Sequence, residues 1–192
     1  GMPTASAFGN LLTPKTLKPS ASIHTYAAML ANEVFTGDAE IDGFEGNQWT
    51  DRGAALESEA IRWYEFVTDM TVQPIGFVTD DDKRIGCSPD GLVGESGMLE
   101  IKALKAVNHT AAFMEFTRTN EAPPEYRPQT QGQMMICGRS WCDLLFFHDR
   151  LPPFVVRQFP DPDYIEKLTP QIDALLTERD EILAALNPQA AE

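Results

Sequence analysis

The sequence has few of the residues that enzymes most often use as nucleophiles, general bases or soft metal ligands. Its 192 residues include three cysteines and three histidines: Cys87, Cys137, Cys142, His24, His109 and His148. The odd cysteine count shows neither metal-type spacing nor a disulfide framework, so we expect reduced, mostly buried thiols. Because no histidine stands in a recognisable motif with a cysteine, we expect no thiol-based catalysis.

Signals for membranes and export are also missing. No apolar run approaches the roughly 18 residues that a transmembrane helix needs. The N terminus lacks a basic segment followed by an apolar one, as a signal peptide would have. We therefore expect a cytoplasmic protein that makes no membrane contact. Gly1 before Met2 resembles an expression remnant, so residues 1–3 are interpreted as a tag and a shortened N terminus.

Basic residues are scarce. Lysine and arginine total 15 against 29 aspartates and glutamates, which gives a net charge of −14. Because phosphate binding normally depends on a basic surface, this balance argues against a nucleic-acid partner. The acidic residues are unevenly spread, however, with eight acidic and two basic residues from Asp161 to Glu192. An acidic outer surface is compatible with a basic, metal-loaded cleft, so composition leaves the partner open.

What is present is an ordinary globular composition, 43% hydrophobic and 23% charged, in a chain of one-domain length. Apolar periodicity predicts helices at about 22–36, 49–70, 107–117, 128–137 and 162–186, and strands near 74–79, 84–88, 98–102, 141–148 and 153–159. We expect Ser22 to cap the first helix, Pro170 to kink or divide the last one, and loops at 37–48 and 89–97. These elements predict a single α/β domain over residues 1–192, with a mixed central sheet flanked by helices and a helical segment at 160–192.

One stretch of this pattern carries chemistry. Pro89-Asp90-Gly91 forms a turn signal, and Glu100 and Lys102 follow in a strand. Because side chains alternate along a strand, Glu100 and Lys102 should share a face while Leu99 and Ile101 point into the core. A turn that returns Asp90 to this strand would place two carboxylates and a lysine together. Two carboxylates that leave coordination positions open for water and phosphate oxygens suit Mg²⁺, with Mn²⁺ as the alternative. Such a site is suited to metal-assisted hydrolysis of a phosphodiester.

Each half of this motif also has a purely structural interpretation. A Pro-Asp-Gly turn is common, and a Glu-Ile-Lys strand can simply have one solvated face. The combination is more specific than either half, and it favours a nuclease. A further carboxylate, Glu57, falls in the stripe Gly53, Glu57, Ala60, Ile61, Tyr64 and Val67 of the second helix. We expect Glu57 to face the core, where a metal held by Asp90 and Glu100 would recruit it.

With these residues, the chain resembles the lambda-exonuclease type of phage recombination nuclease, also called the YqaJ-type viral recombinase family, within the PD-(D/E)xK superfamily. The matching pieces, which extend from residue 4 to about residue 150, are Thr4-Ala5-Ser6, the helix around Glu57, Cys87-Ser88-Pro89-Asp90-Gly91-Leu92, Leu99-Glu100-Ile101-Lys102, and Tyr126 with Gln129-Thr130-Gln131. The resemblance implies a restriction-endonuclease-like core.

The resemblance also implies roles for single residues. Glu57, Asp90, Glu100 and the main-chain carbonyl of Ile101 correspond to metal ligands. Lys102 corresponds to the residue that positions or activates the attacking water, and Gln129 to the glutamine that helps orient it. Ser6 and Ser88 correspond to residues that hold the 5′-phosphate of a DNA end, and Gln131 is a further candidate DNA contact.

The function implied is a Mg²⁺-dependent 5′→3′ exonuclease that acts on double-stranded DNA ends during phage recombination in a bacterial host. A single-strand annealing protein and assembly into a homotrimer are the partners implied. Two alternatives stay open: an endonuclease of the same superfamily, restriction or resolving in type, and a non-catalytic acidic interaction protein.

Two departures from the family pattern affect these expectations. The family has a phosphate-binding arginine upstream of the Thr-Ala-Ser motif, and this chain has no counterpart before Thr4. We expect that the natural product extends upstream of Met2; the alternative is a loss of 5′-end selectivity. The residues after Lys102 also lack the usual Cys/Ala-Pro step, which should change only the local turn.

Overall fold

The computed structural model describes residues 1–13, 15–38 and 48–187. Two short 3₁₀ helices lie at Ala5–Asn10 and Pro124–Tyr126. The other elements, in chain order, are α1 (Ile23–Thr36), α2 (Gln48–Thr68), β1 (Val72–Gln73), β2 (Val78–Thr79), β3 (Gly86–Cys87), β4 (Gly91–Val93), β5 (Gly97–Ala103), α3 (Ala106–Thr119), α4 (Arg127–Cys137), β6 (Trp141–Phe147), β7 (Phe154–Gln158) and α5 (Pro162–Leu186). Most of the predicted loop at 37–48 lies outside the described residues. None of the described helices combines the length and apolar composition that crossing a bilayer requires.

The described residues form the predicted mixed sheet, with strand order β1-β4-β5-β6-β7. Strands β5 and β6 run parallel, and the other neighbours are antiparallel. The two parallel strands lie at the centre, which is why β6 is apolar at nearly every position and buried from Cys142 to Phe147. A two-stranded sheet of β2 and β3 stands beside this core.

Helices cover both faces of the central strands. On one face Leu99 packs in a cluster with Ala60 and Tyr64 of α2. On the opposite face Met98 packs with Met134 of α4. The alternation of β5 therefore places Glu100 and Lys102 on the face that α4 covers. As predicted, Leu99 and Ile101 face the apolar side of the sheet.

The ends of the helices follow the sequence in part. Gly37 ends α1 in a left-handed conformation, with φ at 77°, as a C-terminal glycine commonly does. The predicted cap by Ser22 is wrong, because its side chain makes no capping hydrogen bond. Pro170 does not divide α5, which continues through it. Pro170 is exposed, so the carbonyl that it leaves unpaired can face water.

The region between Pro89 and Gly97 differs from its prediction. Gly91–Val93 form strand β4 rather than part of a long turn, and they pair with β5. The Pro-Asp-Gly signal masked this strand because its three residues show too little alternation to be detected. The three cysteines are free, as expected, and the sulfur atoms of Cys87 and Cys137 lie 3.5 Å apart.

Helix α4 is held in place by the N-terminal 3₁₀ helix. Phe8 and Ala5 are fully buried, and they lie against α4 at Gly132. A Cβ atom at Gly132 would lie 2.5 Å from the Cδ2 atom of Phe8 and 3.1 Å from the Cβ atom of Ala5. Because both contacts are closer than normal carbon packing, a glycine is needed for the two helices to approach this closely.

We predict that Gly132→Ala lowers the free energy of unfolding by about 1–3 kcal/mol, because a buried phenyl ring has to move. Gly76→Ala is the matched control, since no atom lies within 4 Å of a Cβ there, and it should change stability by less than about 0.5 kcal/mol. Urea unfolding of both variants measures the difference. Equal stabilities would show that α4 tolerates a larger separation from Phe8.

Candidate active site

The pairing of β4 with β5 brings Asp90 to the strand that carries Glu100. Gly91 lies opposite Leu99 in the antiparallel register, so Asp90 comes level with Glu100. Oδ2 of Asp90 accepts a hydrogen bond from the main-chain N–H of Ile101 at 2.5 Å. The predicted return of Asp90 to this strand is confirmed.

Glu100 is a buried carboxylate, 4% exposed. Within the described residues its two oxygens accept three hydrogen bonds. Oε1 accepts from Lys102 Nζ at 2.8 Å and from Gln129 Nε2 at 2.6 Å, and Oε2 accepts from Gln133 Nε2 at 2.7 Å. A carboxylate removed from water requires such donors, because an unpaired buried charge is strongly unfavourable.

Lys102 is fixed between three groups. Its Nζ atom donates to Glu100 and, at 2.7 Å, to Oε1 of Gln129, and it lies 5.3 Å from the centre of the Tyr126 ring. The lysine side chain is 16% exposed. The ammonium is therefore oriented by the protein while remaining accessible to a phosphate group from solvent.

Helix α4 supplies two of these contacts from one face. Gln129 and Gln133 are four residues apart, so they stand one above the other and both reach β5. Gln129 is expected from the family resemblance, whereas Gln133 is not among the residues predicted from the sequence. The four-residue spacing of Gln133 from Gln129, on a helix with apolar neighbours, is the sequence feature that indicates a shared face.

Asp90 lies in an unfavourable electrostatic environment. Burial raises the pKa of Asp90 to about 7, and the nearby charges of Glu100 and Glu57 add to this increase. The hydrogen bond from Ile101 and the charge of Lys102 act in the opposite direction without cancelling it. The ionised form of Asp90 is therefore destabilised in the metal-free protein, and a cation next to it would reverse this effect.

Glu57 is placed differently from its prediction. Leu56, Ala60 and Tyr64 face the core, whereas Glu57 is exposed. The expected core-facing position is wrong because the apolar stripe of α2 runs through Leu56, one residue earlier. Glu57 still lies close enough for its charge to raise the pKa of Asp90. Over the described residues, however, no three histidine, cysteine, aspartate or glutamate side chains surround a common metal position, so its role as a ligand stays a prediction.

The predicted phosphate-binding serines come from neighbouring segments. Gly86 of β3 forms a parallel bridge with Thr4 and donates to the carbonyl of Pro3. This pairing places the Thr-Ala-Ser segment beside the strand that leads into Ser88. Ser6 and Ser88 are both exposed. Their binding of a 5′-phosphate stays a prediction.

The geometry does not support Gln131 as a DNA contact. Its side chain is 3% exposed. The amide donates to the carbonyl of Phe159 at 2.9 Å and accepts from the N–H of Asp161 at 2.8 Å. Gln131 therefore ties α4 to the chain that enters α5, where the side chain of Asp161 caps the helix.

The donor atoms at this site are suited to a hard divalent cation. Asp90 and Glu100 are adjacent carboxylates, and the carbonyl of Ile101 is a further predicted ligand; all three offer oxygen. Mg²⁺ and Mn²⁺ prefer such oxygen ligands, completed by water or phosphate oxygens. The destabilised charge of Asp90 provides a structural reason for a cation here. Asp90 and Glu100 are the residues that would hold it.

Comparison with known proteins gives matches over nearly the whole chain. The model of the YqaJ-like viral recombinase domain matches residues 1–140. The chain belongs to this family. The alkaline exonuclease LHK-Exo from Laribacter hongkongensis is 33% identical, with a TM-score of 0.82 over 99% of this chain and 93% of its own. The structure of LHK-Exo in complex with dAMP gives a TM-score of 0.83 at the same identity and coverage.

A more distant match shows the fold alone. The phage-related exonuclease from Haemophilus somnus 129PT is 16% identical, with a TM-score of 0.75 over 97% of this chain and 96% of its own. A search of curated proteins gives no significant match. The restriction-endonuclease-like fold predicted for this YqaJ-like domain is confirmed, with Asp90, Glu100, Lys102 and Gln129 all inside the part that the family model matches.

The pKa of Asp90 predicts how the stability of the metal-free YqaJ-like domain depends on pH. The pKa rises from 3.8 to about 7 on folding, so the folded state binds the proton more tightly. The resulting stability is fully present below about pH 4 and is lost as pH rises through 7, at most about 1.4 kcal/mol per pH unit. Asp90→Asn removes this titration and should flatten the profile. Urea unfolding in EDTA between pH 5 and 8 measures it.

The exposed Asp81 serves as the control for that experiment. Asp81→Asn should keep the pH slope of the unmodified protein. If Asp90→Asn also keeps it, the carboxyl group of Asp90 is not destabilised as described.

Proposed function

We propose that this protein is a metal-dependent exonuclease that removes nucleotides 5′→3′ from double-stranded DNA ends in phage-type recombination. One observation carries the proposal: a buried Glu100 bonded to Lys102 and Gln129, with Asp90 adjacent at the start of the paired strand β4. The 33% identity to LHK-Exo, an alkaline exonuclease, over 99% of this chain supports it.

The residues have separate roles in this proposal. A divalent cation held by Asp90 and Glu100 would polarise the scissile phosphate and lower the pKa of a bound water. Lys102 would offset negative charge on the phosphate and would exchange a proton with the attacking water, a role that its fixed Nζ atom supports. Gln129 bonds to both Lys102 and Glu100, so it keeps the ammonium and the carboxylate in register.

The competing functions fit less well. An acidic interaction protein should keep its carboxylates in water, whereas Glu100 is 4% exposed and held by the buried amide of Gln133. An endonuclease would share the carboxylates and the lysine. LHK-Exo, which is 33% identical over 99% of this chain, is an alkaline exonuclease, and this favours action at DNA ends.

The substrate and partners follow from the same proposal. We propose that Ser6 and Ser88 bind the 5′-phosphate of the DNA end, that Mg²⁺ is the cation with Mn²⁺ as a substitute, and that Glu57 completes the metal ligands when DNA is bound. We also propose that the protein forms a homotrimer around DNA and works with a single-strand annealing protein. Its proposed location is the cytoplasm of a bacterial host. Light scattering at micromolar concentration tests the assembly, since a monomeric mass contradicts the trimer.

Digestion of matched DNA substrates tests the activity. With Mg²⁺, the protein should degrade an end-labelled linear duplex and leave a covalently closed circle of the same sequence intact. EDTA should abolish the digestion. Cleavage of the closed circle at a comparable rate would identify an endonuclease, and no metal-dependent cleavage of either substrate would contradict a nuclease.

Substitution of the carboxylates tests the site. Asp90→Ala and Glu100→Ala should each reduce digestion more than about 100-fold, because the loss of even an outer-shell partner costs 10- to 100-fold. Asp81→Ala removes an exposed acidic residue in the turn between β2 and β3 and should leave the rate unchanged. Near-normal digestion by either site variant, with an intact circular dichroism spectrum, would contradict the assignment.

Substitutions of Lys102 distinguish a role of its positive charge from a role in proton transfer. Lys102→Ala should lose about 10²- to 10⁴-fold in rate. Lys102→Arg keeps the charge but not the compact ammonium that fits between Glu100 and Gln129, so it should recover little. Lys167→Ala, on the exposed side of α5, is the control. Full activity of the arginine variant would show that positive charge alone suffices.

A further inference from the structure

Gln133 is the most deeply buried of the side chains that contact Glu100. It is 1% exposed, and its Nε2 atom lies 2.7 Å from Oε2 of Glu100. By contrast, Gln129 is half-buried and Lys102 is 16% exposed. The contacts of Glu100 therefore divide into an inner one, at Oε2, and two outer ones, at Oε1.

The orientation of the Gln133 amide satisfies Glu100 and leaves one of its own polar atoms unpaired. Facing a carboxylate, the side chain has to present its N–H group, which turns the amide oxygen away. No donor among the described residues reaches that oxygen, although it is buried. An unpaired buried carbonyl carries a desolvation penalty. Met134, the next residue of α4, is itself a buried methionine, so the packing of α4 against the sheet accommodates such a side chain.

We propose that Gln133 is a positioning residue that holds the inner oxygen of Glu100 and thereby directs Oε1 to the accessible side of the site. This inference rests on the proposed function, because it assigns Oε1 to the cation. Lys102 and Gln129 contact that same outer oxygen. Gln133 donates to Oε2 instead, so its hydrogen bond does not compete with a cation bound at Oε1.

Gln133→Met tests the proposal, because methionine has a similar length and no amide. Binding of Mn²⁺ measured by titration calorimetry is the main readout. The dissociation constant should rise about 10- to 100-fold, as expected when a partner that orients a metal ligand is removed. The melting temperature in EDTA should fall, because Oε2 of the buried Glu100 loses its donor, so binding is compared at a temperature at which both proteins are folded. Digestion should fall most at limiting Mn²⁺ and recover in part at saturating Mn²⁺.

Thr130→Val is the matched control on the same helix. Thr130 is fully buried, and its hydroxyl donates to Gln158 at 2.6 Å, away from Glu100. This variant should lower the melting temperature while leaving the Mn²⁺ dissociation constant unchanged. A purely structural role for Gln133 would leave the Mn²⁺ dissociation constant unchanged, as in this control, whereas a positioning role raises it.

Gln133→Asn provides a second variant if the methionine protein does not fold. It keeps the amide but is one methylene too short to reach Glu100, so it should also weaken Mn²⁺ binding. If a folded variant binds Mn²⁺ with the affinity of the unmodified protein, Gln133 is not a positioning residue, and the proposed nuclease function is unaffected. If the unmodified protein binds no Mn²⁺ and digests no DNA, the proposed function fails and this inference with it.

Discussion

The burial of Glu100 is the interaction on which the other parts of the structure depend. A carboxylate in the protein interior loses its hydration, and leaving it without donors would cost several kcal/mol. The donors come from Lys102 on the same strand and from two glutamines of α4. Helix α4 must therefore pack directly on β5, and its close contact with Phe8 at Gly132 holds it against the N-terminal 3₁₀ helix.

Helix α2 depends on a second buried charge. Tyr64 donates to Oδ2 of Asp143 at 2.6 Å, and Arg157 donates to both oxygens of Asp143 at 2.8 Å. This network ties α2 to the central sheet and thereby determines where Glu57 lies relative to Asp90. Asp143 is buried and has a bidentate partner, whereas the half-buried Asp90 has a raised pKa. Residues kept in such unfavourable environments are commonly functional.

Much of this arrangement can be predicted from the sequence, and the parts that cannot have physical reasons. The alternation in β5 places Glu100 and Lys102 on one face, and the structure agrees. Strand β4 is missed because three residues show no period, although its pairing is what delivers Asp90. Glu57 is misplaced because the apolar stripe of α2 is ambiguous by one residue. Gln133 is missed because its partner comes from a distant strand, and sequence periodicity carries no information on which strand a helix covers.

The central claim is that Asp90 and Glu100 bind one divalent cation beside Lys102, and diffraction from Mn²⁺-soaked crystals tests it most directly. The anomalous signal of manganese locates the ion independently of any activity. We expect a peak in contact with the carboxylates of Asp90 and Glu100, and no such peak in crystals of Glu100→Gln. A manganese peak elsewhere on the protein, with none between these two carboxylates, would contradict the account.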